Sequence, residues 1–376
     1  MYSVVEINRF EDVAGRRLAW NALWAQTRNA SFFQSFDWLD VYWRHFGGSQ
    51  QMRTLMVYAC GQPIGILPLV VRTEQTGVGR LRVLTYPLDD WGTFYGPIGP
   101  NPTATLLAGM QHVRRTPRDW DLVDLRWVDA ADCDRGRTPQ AMTLAGLQPQ
   151  EETWARAPQI EIRGTWEAYL KGRAKKWRHN VHRLQRRIQE LGRVQFIRHR
   201  PGGDSQGDGD PRWDLYDACV HLAERSWQGS STTGTTLSHP HVRAFLRDVH
   251  ETATRKGCLD LNLLVVDDRP AAFAYNYYYQ GLVSGLRMGY EPDLSAAGPG
   301  TVLQQLILED SYRRGDLLYD FGPGYLDCKR PWQTSMATSL HYTHFPMSVP
   351  RVQLLRLKRW LRRRLHPEYT AYARSA

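Results

Sequence analysis

Residues 62–71 (QPIGILPLVV) and 269–278 (RPAAFAYNYY) share one local grammar, and no other feature limits the fold of this chain so strongly. Each sets a turn and a proline ahead of an apolar strand. A further strand follows each, then a cluster of Tyr, Pro and Asp: Tyr86-Pro87-Leu88-Asp89 in one half and Tyr290-Glu291-Pro292-Asp293 in the other. Self-similar chains fold as repeated supersecondary units, and two copies of one mixed α/β unit account for the 376 residues. The expected organisation is a first unit over 1–157, a second over 158–345 and a basic amphipathic helix over 346–376.

Hydrophobic spacing supplies the elements. Leu18, Leu23 and Trp24, then Phe36, Leu39, Trp43 and Phe46, recur at helical intervals before Gly47-Gly48. Residues 53–60 and 63–72 read as a hairpin around Gly61-Gln62, with another strand at 81–86. Leu88 to Pro100 (LDDWGTFYGPIGP) is a Gly/Pro-rich aromatic loop. A helix at 103–115, a strand at 120–128, a short helix at 138–147 and a polar connector at 148–159 follow. In the second half one helix is expected from Trp166 to Leu191, where Trp177, Val181, Leu184, Ile188 and Leu191 form the inward stripe and Gly192 ends it. A structureless, mobile loop is expected at 199–212, then a helix striped by Trp213, Tyr216, Val220, Ala223 and Trp227, then a helix from Ser238 and Pro240 to Arg255. Strands at 259–267, 270–279 and 282–290, a helix at 301–314 and a strand at 316–321 complete the second copy.

The formal charge of +10 is unevenly spread. Residues 171–193 carry nine bases against Glu190 alone, and residues 351–365 carry seven bases and no acid, so the rest of the chain is net acidic. Any polyanion would meet those two segments first. The longest apolar run, Pro63 to Val71, falls far short of the ~20 residues a membrane-spanning helix needs. Acids in the opening MYSVVEINRFEDV leave no secretory or organelle signal, so a cytoplasmic address is expected. Cys60, Cys133, Cys219, Cys258 and Cys328 are scattered without a CxxC pair and read as buried thiols. The twelve histidines show no metal-ligand spacing, and neither a hydrolase nucleophile elbow nor a Walker-type loop is present, so no metal is expected.

Chemistry concentrates between 282 and 322. A strand with two glycines, Gly285 and Gly289, leads into Tyr290-Glu291-Pro292-Asp293-Leu294-Ser295-Ala296-Ala297-Gly298-Pro299-Gly300-Thr301 and then an amphipathic helix. A small-residue turn entering a helix exposes backbone N–H groups at the positive end of the helix dipole, which suits a phosphate or pyrophosphate, although Pro299 removes one donor. The two glycines of the turn also serve a purely conformational purpose.

The order of a basic helix, SWQG, a hairpin with RPAAFAY, YEPDLS-x-x-GPG and RGDLLYDFGPGYLDCKRPW resembles the GNAT acyltransferase superfamily, in its FemAB-like and CelD/BioF2-like branch. The first half, with FDWLDVYW, GILPLVVR and DDWGTFYGP, is similar to the first half of the same proteins. The resemblance implies an α/β fold of two tandem GNAT-like units, mixed sheets flanked by helices, with the second unit binding the donor. Strands 282–290 and 316–321 would splay apart and hold a thioester's pantetheine arm, with the pyrophosphate at Gly298, Gly300 and Thr301 and Arg287 on the donor phosphates. Ser295 stands where the superfamily pattern usually opens that turn with Gln or Arg, which leaves an aminoacyl-tRNA donor open beside acyl-CoA, acetyl-CoA included.

The implied reaction is attack of an amine or hydroxyl on an activated acyl carbonyl. Asp320 is the first choice for base or acceptor-orienting group, with Lys329 stabilising an oxyanion or positioning a carboxylate or phosphate. Tyr290 and Tyr325 would protonate the leaving group. Arg225, Trp227, Asp90, Trp91 and Tyr95 correspond to acceptor-side positions of the family. The expected function is acyl transfer from a CoA-type thioester to a small-molecule, glycan or peptide acceptor such as a polysaccharide or cell-envelope precursor. Two alternatives stand beside it: an aminoacyl-tRNA-dependent ligase, and an inactive GNAT-like module that binds nucleic acid or an anionic membrane. Segment 351–365 interleaves leucines and Trp360 with arginines, a composition that fits both the inner membrane face and docking on its own domain.

Overall fold

The computed structural model describes residues 2–232 and 234–365, so the last part of the expected 346–376 helix lies outside the described residues. The chain forms two compact units, one from residues 1–157 together with 337 onward, the other from 158–336.

The first unit runs β1 (Tyr2–Ile7), α1 (Phe10–Ala14), α2 (Arg17–Ala25), α3 (Phe36–Phe46), β2 (Gln50–Ala59), β3 (Gln62–Thr76), β4 (Gly79–Thr85), α4 (Pro102–Arg115), β5 (Leu122–Asp129), α5 (Arg137–Leu144) and β6 (Pro149–Glu161). Strands β1 to β4 pair antiparallel in sequence order, and β5 joins β4 in parallel through Val83↔Leu122 and Leu84↔Val123. Ile66 to Val71 of β3 are all buried, because a central strand covered on both faces reads as an unbroken apolar run. Trp20, Trp38 and Tyr42 from α2 and α3 are almost wholly buried.

The second unit runs α6 (Trp166–Lys171), α7 (Lys175–Glu190), β7 (Val194–His199), α8 (Trp213–Arg225), α9 (Arg243–Arg255), β8 (Leu259–Val266), β9 (Arg269–Tyr279), β10 (Leu282–Tyr290), α10 (Pro299–Arg314), β11 (Leu318–Asp320) and α11 (Leu326–Lys329). Its sheet repeats the first: β7 to β10 pair antiparallel in order, and β11 joins β10 in parallel. Residues 62–71 and 269–278 lie in β3 and β9, the middle strand of each copy.

Each sheet is completed from the other half of the chain. In the second unit β11 is flanked by the last residues of β6, Gln159 to Glu161, and in the first unit β5 is flanked by β12 (Ser335–His344). After β12 the chain ends its described course in α12 (Pro350–Leu365), whose Val352 and Leu355 pack with Leu81, Val83, Leu122 and Phe345 of the first unit. The expected boundary at 345 therefore moves back, because β12 and α12 find their apolar partners in the first unit.

Further departures have local causes. The connector expected at 148–159 is strand β6, whose alternating half-exposed residues hide a buried stretch at Ala157 to Ile160. The single helix expected from 166 to 191 breaks at Gly172–Ala174, and Leu191 and Leu18 are exposed rather than packed. The 199–212 loop is held by Gly202 and Gly203 N–H groups donating to Asp208 and by His199 Nε2 against Asp210 O. Cys60 and Cys328 are exposed, so only Cys219 and Cys258 are buried thiols.

One buried ionic network fastens α10 to its sheet. Arg198 of β7 donates to Asp260, Asp310 and Ser311, Arg200 forms a pair of bonds to Asp316, and Asn276 donates to Asp260. Arginines this buried are tolerated because nearly every donor meets a carboxylate, and removing one partner of such a network costs about 3–5 kcal/mol.

Candidate active site

Parallel pairing between β10 and β11 stops early. Leu282, Val283 and Ser284 match Leu318, Tyr319 and Asp320, after which β10 continues to Tyr290 with β9 as its partner. A bulge between Gly285 and Arg287 turns β10 away at that point. Gly285 is required there, since a Cβ on it would lie 2.8 Å from the Asp320 carbonyl oxygen. Glu291 N–H donates to Ala271 O, so the alternation of antiparallel pairing points the Met288 carbonyl the other way, toward the side β11 has vacated. Two side chains from the α8 terminus serve that carbonyl: Trp227 Nε1–H donates at 3.0 Å and the Gln228 amide at 3.2 Å.

The residues around this opening come from four elements. Asp320 ends β11 almost buried, and its Oδ1 accepts from Gly322 N–H at 2.7 Å. Half-buried Lys329 donates from Nζ to Gly322 O at 3.1 Å and Pro323 O at 2.9 Å. Burial, opposed by Cys328 and Asp320 and aided by the Arg287 guanidinium, brings its pKa down to about 8. Arg287 donates to Thr235 O and Leu286 O. Tyr325 takes a left-handed backbone conformation and sets its exposed ring 5.3 Å from that of Trp227. Arg225 pairs with Glu291 at 2.5 Å just beyond β10. Trp227 is 40% exposed, so the stripe that predicted it as helix core does not hold, because α8 ends at Arg225.

The glycine bend ahead of α10 is closely packed from one side. Gly298 has φ +64 and caps the helix, which begins at Pro299 rather than Thr301. A Cβ on Gly298 would lie 2.8 Å from Leu184 of α7, and one on Gly300 would lie 3.3 Å from the Tyr290 ring. Thr301 N–H donates to Gly298 O, which takes one expected phosphate donor out of use and leaves the Thr301 hydroxyl and the Gly300 end of the helix. Arg187 of α7 reaches Ala296 O at 3.2 Å, so the basic helix runs beside the bend. Neither Arg187 nor Gln228 was singled out by the sequence reading; the SWQG motif held the second in plain view.

The positions from the first unit behave differently. Trp91 and Tyr95 are buried, Trp91 stacking on Phe46 and Tyr95 against Tyr86. Only Asp90 of the three is exposed. Among the described residues no group of three His, Cys, Asp or Glu side chains is arranged to hold a metal ion.

Comparison with known proteins agrees with this geometry. Residues 175–330 match the family described as "Acetyltransferase (GNAT) domain". The crystal structure of FemX is similar over 94% of this chain and 99% of its own, with TM-score 0.62 at 11% identity. The C-terminal domain of a putative lysylphosphatidylglycerol synthetase from Agrobacterium fabrum is similar over 93% and 96%, with TM-score 0.55 at 10% identity. No curated protein matches the sequence. Residues 175–330 of the second unit therefore match a GNAT acetyltransferase domain, and the chain as a whole shares its fold with FemX: two tandem GNAT-like α/β units.

Proposed function

We propose that the protein transfers an acyl group from a CoA-type thioester to an amine or hydroxyl of a glycan, peptide or other envelope precursor. The observation that carries this reading is the parting of β10 from β11 beyond Ser284↔Asp320, bordered by Lys329, Asp320, Trp227 and Tyr325. An extended thioester arm fits such a parting because its amides can pair with strand backbone as an added strand does. Gly300, Thr301 and Arg287 would hold the donor phosphates, with Gly298 shaping the turn. Two of the three Lys329 ammonium protons are engaged by carbonyls, and the third would stabilise the oxyanion. Asp320 would take the proton of the attacking group, the carbonyl carbon would form its new bond to nitrogen or oxygen, and the C–S bond would break. Tyr290 or Tyr325 would then supply a proton to the thiolate.

A second reading, an aminoacyl-tRNA donor, is favoured by the contact of Arg187 with the bend. It sets a net charge of +8 over residues 171–193 beside the place where donor phosphates would lie. Thermal melting decides between the two. Acyl-CoA that raises Tm supports the first, since a ligand at 100 times its Kd adds about 2.7 kcal/mol. A shift with aminoacyl-tRNA but not with acyl-CoA replaces it with the second, and no shift with either removes the donor site.

A further inference from the structure

Helix α12 has two apolar faces, and the first unit uses one. Val352 and Leu355 are buried against Leu81, Val83, Leu122 and Phe345. Arg359 and Arg363, on the same side, pair with Asp124 and Glu152. Gln353 adds bonds to Phe345 O and Pro346 O. The helix is therefore fixed in rotation.

On the opposite side Leu354, Leu357, Leu361 and Leu365 recur by three, four and four residues, and all four are exposed, at 42 to 70%. Trp360 is 46% exposed at the margin of this stripe, with the Arg364 guanidinium 4.5 Å from its ring. Arg351, Arg356, Lys358, Arg362 and Arg364 are exposed along the helix, which bears no acid from 351 to 365. A solvated helix face would not repeat leucine at core spacing. A face that binds an acidic protein groove would not need four leucines in a row with cations flanking them and an indole at the boundary. That combination matches the interface of an anionic bilayer, where leucines enter the acyl boundary and arginines remain among the phosphates.

We propose that α12 docks the protein on an anionic membrane surface through Leu354, Leu357, Leu361 and Leu365, while Val352 and Leu355 hold the helix to its own domain. The helix would lie in the plane of the interface, and among the described residues no helix is long and apolar enough to cross a membrane. The proposal is independent of the donor reading above. It states where the protein would work rather than what it transfers.

The test is co-sedimentation of the full chain with vesicles of phosphatidylcholine alone and of phosphatidylcholine with one-third phosphatidylglycerol. Binding to the mixed vesicles only is expected. Leu354→Ser/Leu361→Ser should weaken it by about tenfold or more, given ~0.8 kcal/mol per buried methylene, with Tm and donor-induced shift unchanged. Arg351→Gln/Arg362→Gln should weaken binding less and reduce its salt dependence. Failure of the wild-type chain to bind mixed vesicles overturns the proposal. So does binding that survives both leucine substitutions, which would assign the membrane contact to another basic segment. A wild-type dimer that the leucine substitutions convert to monomer, without vesicle binding, would assign the stripe to a second copy of the chain.

Discussion

The two parallel junctions of this molecule, β4 with β5 and β10 with β11, start from one plan and end differently. In the first, the loop after β4 folds back into the gap: Tyr95 N–H donates to the Trp127 carbonyl of β5 at 2.8 Å, and Ile98 exchanges two bonds with Ile66. Trp91 and Tyr95 bury their rings there. In the second, the segment after β10 runs on into the bend ahead of α10, and the vacated edge is met by side chains, Trp227 and Gln228 on the Met288 carbonyl. Backbone that fills a gap is a permanent part of a sheet. A side chain that covers a carbonyl is displaced by one rotamer change. The contrast sets equivalent places apart: the chain's own backbone closes the first junction, and the second is where the proposed donor would enter.

This contrast is most sharply tested at Lys329. Lys329→Met should lower turnover about 10³-fold if its ammonium meets the oxyanion, while Tm at pH 7 does not fall. Burial holds its pKa below the unfolded value, so the charged form costs stability below about pH 8, and the neutral side chain removes that cost. Asp320→Asn should lower turnover ~100-fold in steady-state assays with the fold preserved, as loss of a general base does; wild-type turnover would reduce Asp320 to holder of the 320–322 turn.

The pH profile gives the sign of the lysine's role. With the ammonium as the acting form, turnover is full below about pH 8 and falls as pH rises through that value. A rate that climbs through the same value would make the neutral amine a base instead. Gly285→Ala places a Cβ 2.8 Å from the Asp320 oxygen and should close the mouth of the splay. About 1–3 kcal/mol of stability should be lost in denaturant titration, together with the donor-induced Tm shift. The smallest effect belongs to the first junction. Tyr95 keeps a buried hydroxyl without a hydrogen-bond partner, so Tyr95→Phe should stabilise by about 1 kcal/mol and leave turnover unchanged. A drop in turnover there would return the first junction to the site.

Much of this plan was legible in sequence because it rests on local signals. Strands β3 and β9 announce themselves by a turn, a proline and an apolar run, and the second-unit candidate residues other than Arg225 and Trp227 follow in one stretch from Arg287 to Lys329. The misreadings share a cause: they concern partners distant in sequence. Strand β6 looks polar because most of its residues are half exposed, and β12 was overlooked because its pairing with β5 spans some two hundred residues of chain. The resemblance puts Trp91 and Tyr95 at acceptor-side positions and the structure buries both, an aromatic loop that seals a gap having the same composition as one that lines it. The break at Gly172–Ala174 carried a visible glycine, but the hydrophobic stripe continues through it in register.

The exchange of closing strands sets an order of events during synthesis. Everything through α5 can gather as soon as it leaves the ribosome, yet the outer edge of β5 has no partner until residue 344 has been made. Through that interval the nascent chain displays a bare ladder of amides, the feature by which β-proteins mispair and aggregate. Splitting the gene between the two repeats would make that temporary exposure permanent, so the first half is not expected to survive as a soluble fragment.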